Sequence, residues 1–234
     1  MAHISWSKGH TKDTHPSVRK ISETMKKRKV DNFAAWREQA KKKGKFKSVY
    51  KALPEGGDLA ELIGVILGDG HIQKFPRTER LLIFSNANNP GFVKRYADIV
   101  ERLFEKKPYV YKQTSKNCIR ISLYEKHISQ RLKIPTGARG KLYFSVPRWV
   151  MRDKTYVKRY LRGLYEAEGS LSFHSATYTH KFIFSNRNVS LLKNVERLLK
   201  VLGFSPHSNK ESVQLSRKDE VKKAAQLLRF RVYK

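Results

Sequence analysis

Two stretches of the chain, about a hundred residues apart, repeat one order of apolar and polar positions. Leu62 to Gly70 reads LIGVILGDG and Leu161 to Gly169 reads LRGLYEAEG, each an apolar run closed by an acid and a glycine. The tetrapeptide IFSN follows at Ile83 to Asn86, 14 residues after Asp69, and at Ile183 to Asn186, 15 residues after Glu168. Behind each copy, apolar residues fall at i, i+3, i+4 and i+7: Phe92, Tyr96, Ile99, Val100, Leu103 and Phe104, then Leu192, Val195, Leu198, Leu199 and Leu202. That spacing predicts one amphipathic helix in each copy. Strict alternation in IRISL, from Ile119, and in VQLS, from Val213, predicts strands. Further helices are expected over Glu125 to Leu132 and Asp219 to Phe230. Each copy therefore reads αββαββα, and the fold class is α+β with two pseudo-symmetric halves, residues 54–150 and 151–234. A period of 99 residues, from Asp69 to Glu168, is too long for a solenoid unit and suits two fused half-domains.

Strand parity assigns faces. Ile119, Ile121 and Leu123 should point to the helices, as should Phe182 and Phe184; Arg120, Ser122, Lys181, Ser185, Gln214 and Ser216 then look outward. Each sheet is expected to present one polar, basic face.

Charge gives that face a purpose. The chain carries 50 Lys and Arg against 20 Asp and Glu, a formal net charge of +30 over 234 residues. Self-repulsion on that scale is most simply offset by a polyanion, and nucleic acid is the expected partner. The single cysteine, Cys118, excludes an internal disulfide, and no Cys or His spacing suits structural zinc, so a reducing, intracellular compartment is expected. No run approaches the about 20 apolar residues of a membrane span. Residues 1–53 stand apart as a basic arm: the first fifty hold 14 Lys and Arg against 4 acids, with runs at Lys26 to Lys29 and Lys41 to Lys43. Short helices are expected over Ser17 to Met25 and Asn32 to Ala40, and Pro54, Gly56 and Gly57 end the arm.

The ends of the two motif segments carry the candidate chemistry. Gly64 and Gly68, and Gly163 and Ala167, lie four apart, so each helix has a stripe of small residues through which two backbones can approach closely. Each helix should stop at its glycine in the left-handed conformation. An acid in the last turn of a helix adds negative charge to an end already rich in free carbonyls. Two such ends side by side would gather Asp69, Glu168 and nearby carbonyls into a set of hard oxygen ligands suited to a divalent cation.

With both motifs, their spacing and their acids in place, the chain resembles the single-chain, two-motif LAGLIDADG homing endonucleases over roughly Leu59 to Phe230. The resemblance implies a saddle of two halves straddling DNA, with the motif helices at the central interface. It implies that Asp69 and Glu168 ligate Mg²⁺ with the carbonyls of Gly68 and Ala167. It also implies metal-assisted hydrolysis of one phosphodiester per strand of a long specific site, leaving short 3′ overhangs. A monomer with internal pseudo-two-fold symmetry, no small-molecule substrate and no membrane are implied as well, and intron homing is the associated biology. Ser85 and Ser185 align with a polar strand residue that lies near the metal-bound water in the family, and Lys141 in GARGK with the basic residue usual near its catalytic site; the second half shows no counterpart to Lys141. The N-terminal stretch from Trp6 resembles the modular DNA-binding motifs attached to such nucleases. Candidate base contacts are Gln73, Lys74, Arg77, Lys112, Arg120, Ser172, His174, Lys181 and Gln214, with Arg and Lys suited to guanine and Gln to adenine. The alternative is a non-catalytic DNA-binding regulator or an RNA maturase on the same fold.

Overall fold

A computed structural model describes residues 6–28, 31, 33–43, 49–113 and 117–233. The chain divides after Tyr50 into two compact units. The expected boundary at residue 53 falls later than this one, because Leu53 is buried in the core of the second unit.

The first unit holds α1 (Pro16–Lys27) and α2 (Ala34–Lys42). Proline opens α1, where its missing N–H costs nothing, and the His15 ring accepts the Ser17 N–H at 3.2 Å. Trp6, Ile21, Phe33 and Trp36 all stay exposed, so this unit has little apolar core of its own. Lys29 of the first basic run and Asn32, the expected start of α2, lie outside the described residues.

The second unit contains the αββαββα order twice. The first half runs α3 (Gly57–Asp69), β1 (Gly70–Lys74), β2 (Glu79–Asn86), α4 (Pro90–Phe104), β3 (Tyr109–Gln113), β4 (Cys118–Glu125) and α5 (Ile128–Leu132). The second runs α6 (Lys154–Glu168), β5 (Gly169–His174), β6 (Thr179–Ser185), α7 (Val189–Val201), β7 (His207–Ser208), β8 (Ser212–Leu215) and α8 (Lys218–Leu227). Each half forms a four-stranded antiparallel sheet, in the orders β1-β2-β4-β3 and β5-β6-β8-β7. Asparagine caps both middle helices: Asn89 accepts from Phe92 N–H, and Asn188 from Ser190 and Leu191 N–H.

One apolar core runs through both halves. The predicted helical stripes are buried except for Leu202, which lies just past α7 and is half-buried, and so are Ile121, Leu123, Phe182 and Phe184. One local expectation is corrected. Glu125 closes β4 instead of opening a helix, because it pairs with Glu79 across the sheet and its buried carboxylate accepts from Arg131 at 2.6 Å. Ser122 lies on the outward face yet is buried, covered by its neighbours and accepting from Arg80 Nε at 2.9 Å.

The motif helices α3 and α6 pack on each other along their small-residue stripes. A Cβ on Gly64 would meet the Tyr160 carbonyl and come within 2.9 Å of Leu164 N. One on Gly163 would meet the Glu61 carbonyl and come within 2.7 Å of Val65 N. Backbone thus lies against backbone, which only glycine permits at this separation.

At the start of these helices a buried ion cluster ties the halves. Glu61, fully buried on α3, accepts from Arg95 Nε at 2.6 Å and Nη2 at 2.8 Å, from Arg159 of α6, and faces Arg162 at 3.5 Å. Removing one partner of a buried pair strands the remaining charges. Glu61→Gln is expected to lower unfolding free energy by about 3–5 kcal/mol in a denaturant titration.

Candidate active site and nucleic-acid face

Because α3 and α6 run side by side and end together, Asp69 and Glu168 meet at one end of their interface. A Cβ on Gly68 would meet the Ala167 side chain and lie 3.2 Å from Glu168 Cγ. Burial raises the Asp69 carboxyl above its ordinary range even though the side chain reaches the surface, since protein crowds it on the other sides. Burial raises Glu168 too, and the Asp69 charge raises it further. These two acids resist being charged together, as expected for like charges at two helix C-termini.

Each helix passes directly into a strand, and the glycine after each acid is extended, with φ −85° at Gly70 and −90° at Gly169. The expected left-handed stop is therefore absent. Glycine is required there for a different reason: a Cβ on Gly70 would sit 2.5 Å from Ile66 Cα, and one on Gly169 would sit 2.7 Å from the Tyr165 ring.

The internal repeat conceals a register change. Gly70 pairs with Ile83, whereas Gly169 pairs with Phe184, so the two IFSN segments are displaced by one residue. Gly70 to Ile83 spans 14 residues and Gly169 to Phe184 spans 16, so the second hairpin is one strand pair longer; the IFSN letters are offset by one residue, and a one-residue slip reverses strand parity. Ile83 is consequently buried and Phe84 exposed, while Phe184 is buried and Ser185 exposed. The slip is undone before the next helix, since twenty residues separate Asp69 from the cap Asn89 and twenty separate Glu168 from Asn188. Ser85 and Ser185 are thus not equivalents. The position matching Ser85 is Asn186, whose Nδ2 donates to Glu168 Oε1 at 3.4 Å.

The cation at the first helix end is Arg139. Its Nη2 donates to the carbonyls of Ile66, at 2.9 Å, and Gly70, while burial lowers its guanidinium. Lys141, two residues on, is exposed and makes no hydrogen bond or ion pair among the described residues. The second half has the counterpart that the sequence concealed: Arg231 Nη2 donates to the Gly169 carbonyl at 3.5 Å, and Gly169 occupies the place of Gly70. Arg231 is held in turn by Glu166, which accepts its backbone N–H at 2.7 Å and the Tyr233 hydroxyl at 2.5 Å. Both arginines come from irregular segments, where no periodicity marks them.

Solved structures share this fold. Over 75% of this chain and 86% of theirs, the N-terminal LAGLIDADG domain of DUF199/WhiA superposes with a TM-score of 0.50 at 14% identity. The homing endonuclease I-DmoI, in a structure with DNA and Mn, superposes over 74% of this chain and 96% of its own with a TM-score of 0.51 at 19% identity. This chain has the LAGLIDADG fold. Among curated sequences, the tRNA-splicing ligase RtcB of Pyrococcus furiosus is 26% identical over 161 residues, which are 62% of this chain and 17% of the ligase. The chain thus spans about a sixth of that relative's length. No family model matches.

On the LAGLIDADG sheets, the candidate base contacts divide by parity. Gln73, Arg120, Ser172, Lys181, Ser185 and Gln214 occupy outward positions, as does His174 by its place in β5, its side chain lying outside the described residues. Arg77 is exposed in the β1–β2 loop. Lys74, Ser85 and Lys112 take the opposite parity, in register with the inward residues Glu79 and Ile119. As outward readers Lys74 and Lys112 are corrected: they stay exposed because they lie near strand ends, where the core no longer covers them. Arg80, outward between Gln73 and Tyr124, was not among the sequence candidates, because its strand is dominated by apolar residues.

Proposed function

We propose that the chain is a site-specific double-strand DNA endonuclease that hydrolyses one phosphodiester in each strand with Mg²⁺. The observation that carries this reading is the juxtaposition of Asp69 and Glu168 at two helix ends, both carboxyls pushed up and one by the other's charge. In the ionised state such a pair is costly unless a cation lies against it. The donor set fits a hard divalent ion: two carboxylates, with the last-turn carbonyls of Gly68 and Ala167, which no further helical turn follows. Mg²⁺ commonly takes one or two protein carboxylates and fills its shell with water and substrate phosphate. When bound, the ion would supply Lewis acidity toward the phosphate and a more acidic water.

The remaining residues position and balance the pair. Asn186 steadies Glu168 by its hydrogen bond. Arg139 and Arg231 each hold the carbonyl that begins a motif strand and bring positive charge beside the acids. Outward residues of the two sheets would lie in the major groove, with DNA spanning both; I-DmoI, which shares the fold, was solved in complex with DNA. With a net charge of +30, phosphate neutralisation should dominate affinity. The logarithm of the binding constant is expected to fall against log salt with a slope of about −0.9 per phosphate neutralised, and affinity to drop by about 10³-fold or more between 50 and 200 mM salt.

The test is linearisation of a plasmid carrying a site selected from random duplex DNA, in Mg²⁺ and in EDTA. Cleavage in Mg²⁺ alone is expected. Tight, sequence-specific binding without cleavage under any divalent ion would replace this reading with a DNA-binding regulator.

A further inference from the structure

The two outward sheet faces, although related by the internal repeat, differ in chemistry. Across the first sheet, Phe84, Arg120 and Tyr111 form one cross-strand row, and Gln73, Arg80 and Tyr124 another. The corresponding rows of the second sheet hold Ser185 with Ser212, and Ser172 with Lys181. The first pair of rows carries aromatic rings and guanidinium groups; the second pair carries hydroxyls and a single amine, with the Gln214 amide in the neighbouring row.

The two arginines are held in place before any ligand arrives. Arg120 lies over the Tyr111 ring, with 5.1 Å from Cζ to the centroid, and Arg80 lies over Tyr124 at the same distance. Arg80 is further fixed by its bond to Ser122. Other half-buried or buried arginines of this unit are engaged by carboxylates or carbonyls: Arg95, Arg131, Arg139, Arg159 and Arg162. Arg80 and Arg120 have no ion pair among the described residues, and the buried Nε of Arg120 has no hydrogen-bond partner.

A planar fork, oriented by an aromatic ring and stripped of rotamer freedom, matches two acceptors lying side by side in one plane. In the major groove that pattern is the O6 and N7 edge of guanine. Resting on the double-stranded DNA reading above, we propose that Arg80 and Arg120 are preorganised guanine readers, with Tyr124 and Tyr111 as their positioning residues. The half-site under the first sheet is then anchored by two guanines. The half-site under the second sheet is read by hydroxyl and amide groups and tolerates more variation.

The experiment uses the full chain in EDTA and duplexes selected by it from a randomised pool. Each guanine of the selected site is replaced in turn by 7-deazaguanine, which keeps pairing but lacks N7, or by hypoxanthine, which keeps both O6 and N7. At two guanines in one half-site, 7-deazaguanine is expected to weaken binding about 10- to 100-fold, with hypoxanthine almost neutral. Arg120→Lys should reduce discrimination at one of them and Arg80→Lys at the other, because lysine keeps the charge and loses the planar fork. Tyr111→Leu should reduce the discrimination controlled by Arg120, and Tyr111→Phe should restore it, with melting temperatures confirming that the variants fold. If Arg120→Lys weakens guanine and 7-deazaguanine duplexes equally, the arginine holds a phosphate and the proposal is overturned. A selected site without such guanines overturns it also while leaving the endonuclease reading intact. Failure to select any duplex overturns both.

Discussion

Asp69→Asn and Glu168→Gln are each expected to lower DNA cleavage by at least about 100-fold while leaving duplex affinity equal or stronger. Each substitution removes one charge and keeps the shape of the side chain. The loss in rate is in the range seen when one preorganised electrostatic contact to a transition state is deleted. Affinity should hold because the site presents negative charge to a polyanion, so neutralising it removes a repulsion. The same variants should be more stable than the parent when divalent ions are chelated. Both carboxyls have folded-state values above their ordinary ones. Their contribution to stability is therefore fully present below the unfolded-state carboxyl range and is lost as pH rises through the raised folded-state values. Asn and Gln do not titrate, so the double variant should lose that part of the pH dependence. Thermal melts in EDTA at acidic and neutral pH check this: the parent should gain on the variant as pH falls.

Gly163→Val should be the most disruptive single change in the second unit. Its first added atom already meets the Glu61 carbonyl and falls within 2.7 Å of Val65 N, so the two motif helices must separate to admit it. Overpacking of a core side chain costs about 1–3 kcal/mol when neighbours can shift. Here the neighbours are backbone, so the cost should reach or exceed that range. At about 2–4 °C per kcal/mol for a chain of this size, a fall in melting temperature of roughly 6 °C or more is expected. Because Asp69 and Glu168 are brought together by this same contact, cleavage should fall by more than binding. Gly91→Val, which meets only the Tyr233 side chain, is the comparison; a flexible ring can move aside, and the effect should be smaller.

Much of this was legible in the sequence because periodicity carries it. The motif helices, the stripe of small residues and the acid before each glycine are local patterns that repeat, and the fold follows once the repeat is recognised. What was hidden has two causes. Identical letters in IFSN invite alignment by identity, but hairpin length fixes strand register, and the longer second hairpin pairs Gly169 with Phe184 instead of Ile183, which exchanges the faces of Ile and Phe. Asn186 was overlooked for that reason. Arg139 and Arg231 were hidden because they belong to segments without regular structure and act through backbone carbonyls, which leave no mark in a sequence. The stop at Gly70 was foreseen, although its cause is close packing against Ile66, with an extended backbone where a left-handed one was expected.

The most direct test of the shared Asp69 and Glu168 centre is end-mapping of a selected duplex, labelled on either strand and incubated with the full chain in Mg²⁺. One cut in each strand, offset to leave a short 3′ overhang and absent with the Asp69→Asn, Glu168→Gln double variant, is the expected result. Cuts that persist in the double variant, at the same positions and rate, would contradict it.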